Sequence, residues 1–352
     1  MTAAVREMFL AQAAGCDSLG SPLTARVLRL LAEAMVPGHA IEDRVLGWQG
    51  NLSRAGDALA LRLAGGLHGL VLRGDTPDLA AFYSAPEAVS DAEATALLLT
   101  VIRAHPAILH QWLDHPPQTN EIRRSSVLIA AGHWLTERLG LPLVLSELGA
   151  SAGLNLLWDQ YALEIGAHFG PKQASIRLHP LWQGDLPPKV APQIAARAGV
   201  DLQPLDPVRD RIRALSYIWP DQTERLARTA AGLEAVAAWD GRLVQQGDAI
   251  EWLERRLAEP LPGRLHLVYH TIAWQYFPSA ARARGLALLE AAGLRATPAA
   301  PLAHLAMEAD AEEHGAALTL RLWCGGPVQE IFLGRADFHG RWVEWYAPNA
   351  QV

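Results

Sequence analysis

The chain has 352 residues, of which 50% are hydrophobic and 19% charged, and its formal net charge is −7. Such a length buries a substantial core in one large or two ordinary domains, and an acidic balance without a long basic run argues against a nucleic-acid-binding surface as the main feature. The two cysteines, Cys16 and Cys324, lie far apart in sequence, which argues against a disulfide framework or a Cys-x-x-Cys metal site; no metal is expected, and a reducing cytoplasm fits best.

Met1 to Leu10 mixes apolar and charged residues as an amphipathic helix does, unlike a signal peptide, and no apolar run reaches the length that crosses a bilayer. Residues 1–118 read as a helical amino-terminal domain. Ser21-Pro22 followed by Leu23, Val27, Leu28, Leu30, Leu31 and Met35 gives an N-cap, a proline in the first turn and an apolar stripe at helical spacing. A second stripe runs from Leu59 through Leu63 and Leu67 to Val71. A third, opened by Ser90-Asp91, reaches Trp112, with Pro106 kinking or dividing it. His115-Pro116-Pro117 marks a domain boundary. Gln118 to Ser125 then enters a helix that runs to Leu139, with Thr119 or Asn120 as its cap and Glu121 at its positive end.

Leu141 to Leu148 is short and mostly apolar between Gly140 and Gly149, which predicts a buried parallel strand. Gly149 to Gly153 makes a tight turn and Leu154 starts a helix. Tyr161 to Ile165 and Ser175 to Leu178 suggest a hairpin inserted over residues 161–190. Strands at 194–202, 242–248, 265–270 and 301–308 then alternate with helices at 221–238, capped by Asp221, at 249–257 and at 279–292. Segments 318–323 and 328–333 flank Gly325-Gly326 as an antiparallel hairpin. The series predicts an α/β fold over 119–352: a doubly wound, mostly parallel, seven-stranded Rossmann-like sheet.

Read as Glu147-x-Gly149-x-x-x-Gly153, the turn resembles the first motif of class I S-adenosylmethionine-dependent methyltransferases. Read as Gly149-x-Ser151-x-Gly153, it resembles the nucleophile elbow of α/β-hydrolases. The long helical stretch before the motif favours the methyltransferase order, since a hydrolase elbow follows several strands. The whole chain is also similar to the bacterial family called domain of unknown function 2332. The stretches that carry this are Gln118 to Glu121, Glu147 to Asn155, Gly199 to Asp206, Trp219 to Gln222, Tyr269 to Tyr276, Leu305 to Glu308 and His339 to Trp342. That resemblance brings no settled activity.

The methyltransferase resemblance implies that Glu147, Gly149, Ser151, Gly153 and Asn155 lie against S-adenosylmethionine; the plain alternative is a strand-to-helix turn. Asp201, at the second strand's carboxyl end, is the ribose binder, with Glu164 and Asp206 as rivals. Asp248 either faces adenine or caps a helix. His270 ends the fourth strand, where a near-neutral base could take a proton from a methyl acceptor, or it is a core histidine; Tyr276, Glu308 and His339 are further catalytic candidates. Trp274 and Gln275 share the same loop, and Trp274, Trp219 and Trp342 could wall a pocket or fill the core. Asn120, Glu121 and Arg124, at the start of a helix that feeds the first strand, come close to the glycine turn and could bind substrate. The expected function is methyl transfer to a small molecule, with no membrane or nucleic-acid partner and the helical domain covering the sheet's carboxyl edge. The alternatives are a serine esterase using Ser151, with His270 or His339 and Asp248, or a non-catalytic nucleotide- or cofactor-binding protein.

Overall fold

The computed structural model describes residues 2–53 and 56–348; Met1, where the predicted amino-terminal helix begins, lies outside them. The first helices are α1 (Thr2–Ser18), α2 (Pro22–Ala34), α3 (Ala40–Leu46), α4 (Leu59–Arg73), α5 (Pro77–Ser84), α6 (Asp91–Ala104) and α7 (Pro106–Asp114). Ser90 opens α6 with a reciprocal capping box, its hydroxyl taking Glu93 N–H while the Glu93 carboxylate takes Ser90 N–H. Pro106 divides the long stripe, and α6 and α7 meet at 86° because proline lacks the amide donor and clashes with the preceding turn. The expected Ser21 cap of α2 is replaced from a distance. Asp221 accepts the Leu23 N–H at 3.0 Å and the Ser21 hydroxyl, and so serves α2 and not the helix that follows it in sequence. No single helix is long and apolar enough to cross a membrane among the described residues.

The chain divides into two units. One holds the residues up to Thr119 together with Arg209–Ala230; the other holds Asn120–Val208 and the residues from Ala231 onward. Residues 209–230, assigned from sequence to the sheet domain, therefore group with the helices, and α9 (Arg211–Ser216) packs on α4. Its core includes Phe9, Leu28, Leu31, Leu63, Leu67 and Leu98, all fully buried, with Trp219 against them.

The sheet unit begins with α8 (Ser125–Leu139), after a short 3-10 turn at Ile122–Arg124. Its strands are β1 (Leu143–Leu148), β2 (Ala162–Glu164), β3 (His168–Phe169), β4 (Arg177–Leu178), β5 (Leu181–Gly184), β6 (Ile194–Asp201), β7 (Val244–Gln246), β8 (Leu265–Thr271), β9 (Leu302–Glu308), β10 (Ala316–Trp323), β11 (Gln329–Ala336) and β12 (Trp342–Trp345). Helices α10 (Thr223–Ala237), α11 (Ala249–Arg256) and α12 (Ser279–Gly293) complete the series. The main sheet has nine strands in the order β5-β12-β11-β10-β9-β8-β1-β6-β7, and β3-β2-β4 form a separate small sheet.

Strands β7, β6, β1, β8 and β9 are parallel. Numbered among themselves they run 3-2-1-4-5, the order of a doubly wound nucleotide-binding half. The other side departs from the seven-stranded expectation: β9 to β12 form an antiparallel meander, and β5 closes the edge parallel to β12. Both added strands have only four residues. Leu181-Trp-Gln-Gly lay in the inserted segment, and Trp342-Val-Glu-Trp alternates too briefly to be read as a strand. Every residue of β1 and β8 is buried, as strands covered on both faces must be.

The helix expected at Leu154 is a seven-residue 3-10 segment, kinked at Leu157. Side chains take the carbonyls an α-helix would use. The Tyr161 hydroxyl donates to Leu154 O (2.6 Å), the Tyr269 hydroxyl to Asn155 O (3.1 Å) and the Arg197 guanidinium to Leu156 O (2.7 Å). With those acceptors engaged, the i to i+4 ladder has nowhere to close.

Candidate functional site

From β1 the parallel strands proceed through β6 to β7; the chain then crosses over to β8 and β9 on the opposite side of β1. In open α/β sheets ligands settle outside the carboxyl ends of the strands at such a reversal, here between β1 and β8. Two loops flank the point, 149–153 after β1 and 272–276 after β8. They touch: Gly149 has φ 72°, and a Cβ there would lie 2.7 Å from the Ala273 Cβ. Each loop also holds a non-glycine residue in the left-handed region, Ser151 at φ 49° and the β-branched Ile272 at φ 52°. Such conformations cost roughly 1–2 kcal/mol each for an L-residue and cluster where a ligand is gripped.

All five amides of the glycine turn are engaged. Gly149 and Ala150 both donate to Val200 O at 3.0 Å, Ser151 to Asp201 Oδ2 at 2.9 Å, Ala152 to Asn120 Oδ1 at 3.3 Å and Gly153 to Ala150 O at 2.7 Å. Asp201 thus closes the loop, also taking Gln203 N–H on its other oxygen at 2.9 Å. Asn120, expected as a helix cap, is drawn onto the turn; the cap of the short turn at 122–124 is Glu121, which accepts Arg123 N–H at 3.1 Å.

The register places Glu147 and Asp201 on one face of the sheet, since Glu147 pairs with Gly199, two residues before Asp201. Glu147 is 3% exposed, and its Oε2 is buried with no hydrogen-bond partner. Burial pushes its carboxyl well above the usual range, the nearby Asp201 charge pushes further, and Arg124 opposes both. The side-chain amide of Asn120 is likewise buried without a partner. Arg124 holds other parts together, donating to Phe338 O (2.9 Å) and Thr271 O (3.0 Å). Asn155 accepts the Ser125 hydroxyl at 2.7 Å.

On the opposite face His270, His304 and Glu308 form a row. His270 Nδ1 lies 2.7 Å from Glu308 Oε1, its Nε2 lies 2.9 Å from His304 Nε2, and its ring stacks on Trp274 at 4.8 Å. Glu308 Oε1 also accepts the amides of Ala273 (2.9 Å) and Trp274 (3.0 Å). Burial alone would raise the Glu308 carboxyl, but His270 and those two amides bring it below the usual range. Burial, with His270 and Arg321 beside it, holds the His304 ring well below the usual histidine range, so it is neutral. Both ring nitrogens of His270 are engaged. It therefore has none left for an acceptor proton or for Ser151.

The other predicted residues disperse. Asp248 caps α11, taking the amides of Ile250 and Glu251 on one oxygen. Gln275 and Tyr276 are exposed, the latter at 74%. His339 Nδ1 stands 3.9 Å from Glu121 Oε2. Glu164 is bound by His168 and Arg177 around the small sheet, and Asp206 takes Val208 N–H in its own turn. Trp342 stacks on His314. A serine triad of Ser151, His270 and Asp248 is not assembled. No group of three or more His, Cys, Asp or Glu side chains is placed to hold a metal among the described residues.

A family model described as "Uncharacterized protein conserved in bacteria (DUF2332)" matches residues 6–345. The chain belongs to this family. No curated protein and no solved structure matches it.

In this family member the sequence reading missed His304, although a signal was present. In Leu302-Ala-His-Leu-Ala-Met-Glu308 the two polar residues share strand parity, so they face the same side. It also missed a second buried cluster on that face: the Ser146 hydroxyl lies 2.8 Å from His266 Nε2 and accepts from Arg256 Nε at 3.1 Å. Burial and Arg256 lower His266 to about 3.

Proposed function

We propose that the sheet unit binds S-adenosylmethionine at the switch point between β1 and β8 and transfers its methyl group to a small acceptor. The observation that carries this reading is the engagement of every amide from Gly149 to Gly153. A dinucleotide or a nucleoside triphosphate brings phosphates to that turn and needs its amides and a helix amino end. This turn offers neither. The polar groups left open on the Glu147 face are carboxyl oxygens and one amide donor, a set that suits hydroxyls, an ammonium and a sulfonium, and that repels phosphate.

S-adenosylmethionine, when bound, supplies an electrophilic methyl group on a positively charged sulfur. The chain's residues then hold and orient. Glu147 presents its unpaired Oε2 to a donor of the ligand, and a cation settling there favours the ionised carboxylate. Asp201 uses one lone pair on each oxygen for the loop and keeps others for ribose hydroxyls. The unpartnered amide of Asn120 is a donor for the ligand's carboxylate. The serine-hydrolase reading has one feature in its favour, the left-handed Ser151 after a strand, but both nitrogens of His270 are engaged.

Calorimetry with the full chain tests the proposal, using S-adenosylmethionine, S-adenosylhomocysteine, NADH and ATP. Binding of the two sulfur ligands and not of the phosphorylated ones is expected. Saturable heat from NADH or ATP alone, or covalent labelling of Ser151 by a fluorophosphonate, would reject it.

A further inference from the structure

The helical unit contains a cleft of about 740 Å³ that the proposed reaction does not use. Its size falls in the range of small-molecule sites, roughly 300–1,000 Å³. Leu23, Val71 and Pro220 give it apolar walls, and His68, Tyr83 and Asp221 bring polar groups to it.

His68, on α4, is 3% exposed. Its Nδ1–H points to Ile218 O (2.8 Å) and Ser216 O (3.2 Å), two carbonyls that can only accept, which fixes the tautomer. Nε2 is then a bare lone pair, with no partner among the described residues. Burial lowers the ring's pKa, so it stays neutral. Tyr83, on α5, has its ring 6.4 Å from that of His68, and its hydroxyl has no partner among the described residues. Asp221 uses one lone pair on each oxygen to hold Ser21 and Leu23 N–H, leaving the others open. The cation at the wall, Arg26, is already held by Asp91, Pro86 O and Val89 O, and Glu87 adds an exposed carboxylate. The cleft therefore presents acceptors and negative charge beside apolar surface and an aromatic ring, and no free cation.

We propose that this cleft binds a small organic amine, its ammonium donating to Asp221 and His68 Nε2 and its apolar body lying against Leu23, Val71 and the Tyr83 ring. A cation over a tyrosine face adds attraction of its own. This site is independent of the one on the sheet.

The test uses the full chain and three probes that share one apolar body: phenethylamine, 2-phenylethanol and phenylacetate. Calorimetry should show saturable binding of the amine, weaker binding of the alcohol and none of the acid. Tyr83→Phe removes a hydroxyl that holds nothing in the fold. It should leave the melting temperature unchanged and weaken the amine roughly threefold to tenfold, the scale of one neutral hydrogen bond. Asp221→Asn should weaken it by about tenfold or more through loss of the charge-assisted bond. S-adenosylhomocysteine should not compete. No saturable amine binding, phenylacetate binding as well as phenethylamine, or competition by S-adenosylhomocysteine would each overturn the proposal. So would wild-type affinity in both variants.

Discussion

The two faces of the sheet at its carboxyl edge carry similar residues to opposite ends. On one, His270, His304 and Glu308 satisfy each other and two loop amides, and the row holds the β8 loop in place. On the other, Glu147 and Asn120 are just as deeply buried and each keeps an atom without a partner. A buried polar group left unpaired costs about 1–3 kcal/mol, so its presence points to a partner supplied from outside the chain. A histidine at a strand end is thus weaker evidence of a site here than a carboxyl with nothing to bond.

The comparison breaks most readily at Glu308. Glu308→Ala strands two amides and His270 together, and urea unfolding should show a loss of about 3–5 kcal/mol, the cost of removing one partner of a buried pair. A loss no larger than that of an exposed substitution would mean the row does not hold the loop.

The two faces should also titrate with opposite sign. His266 and His304 have folded pKa values below the unfolded 6.5, so the stability they contribute is present above that pH and is lost as pH falls, for His266 towards 3. Glu147 has a folded pKa above the unfolded 4.5, so its contribution is complete below 4.5 and is lost as pH rises towards the folded value. Unfolding free energies across this range should fall on the acid side by a few kcal/mol. His266→Gln should flatten that limb, and an unchanged acid limb would contradict the assignment.

Asp201→Ala removes the acceptor of Ser151 and Gln203 amides and should destabilise the ligand-free protein by about 1.5–3 kcal/mol, the scale of bonds to a charged acceptor. A variant that unfolds like wild type would return Asp201 to a purely ligand-binding role. The smallest effect is expected at Ser151. Ser151→Gly relieves a left-handed serine and should raise stability by no more than about 1 kcal/mol, with ligand affinity within about tenfold of wild type.

Much of the sheet was legible because its central strands are unbroken apolar runs between glycines, as in Leu143–Leu148 and Leu265–Thr271. Strands β5 and β12 were not, since four residues are too few to establish a period. The helix after the glycine turn was misread because its apolar spacing is helical. What prevents the α-helix is the set of Tyr161, Arg197 and Tyr269 bonds to its carbonyls, which no local pattern reveals. The same holds for the site. Glu147 and Asn120 were named from the motif and its neighbourhood, but their open atoms depend on how remote segments pack. Asp221 was read as a local cap, and it caps a helix from about two hundred residues away.

The most direct test of the account is Glu147→Gln, measured for stability without ligand and for S-adenosylhomocysteine affinity. Because the fold disfavours the charged carboxylate, the neutral amide should melt higher at neutral pH. Because the ligand's donor is proposed to meet Oε2, the same change should weaken binding by about tenfold or more. Opposite signs in the two measurements are what a ligand-facing acid predicts. A variant that melts lower and binds S-adenosylhomocysteine as tightly as wild type would show Glu147 to be a structural residue and contradict the account.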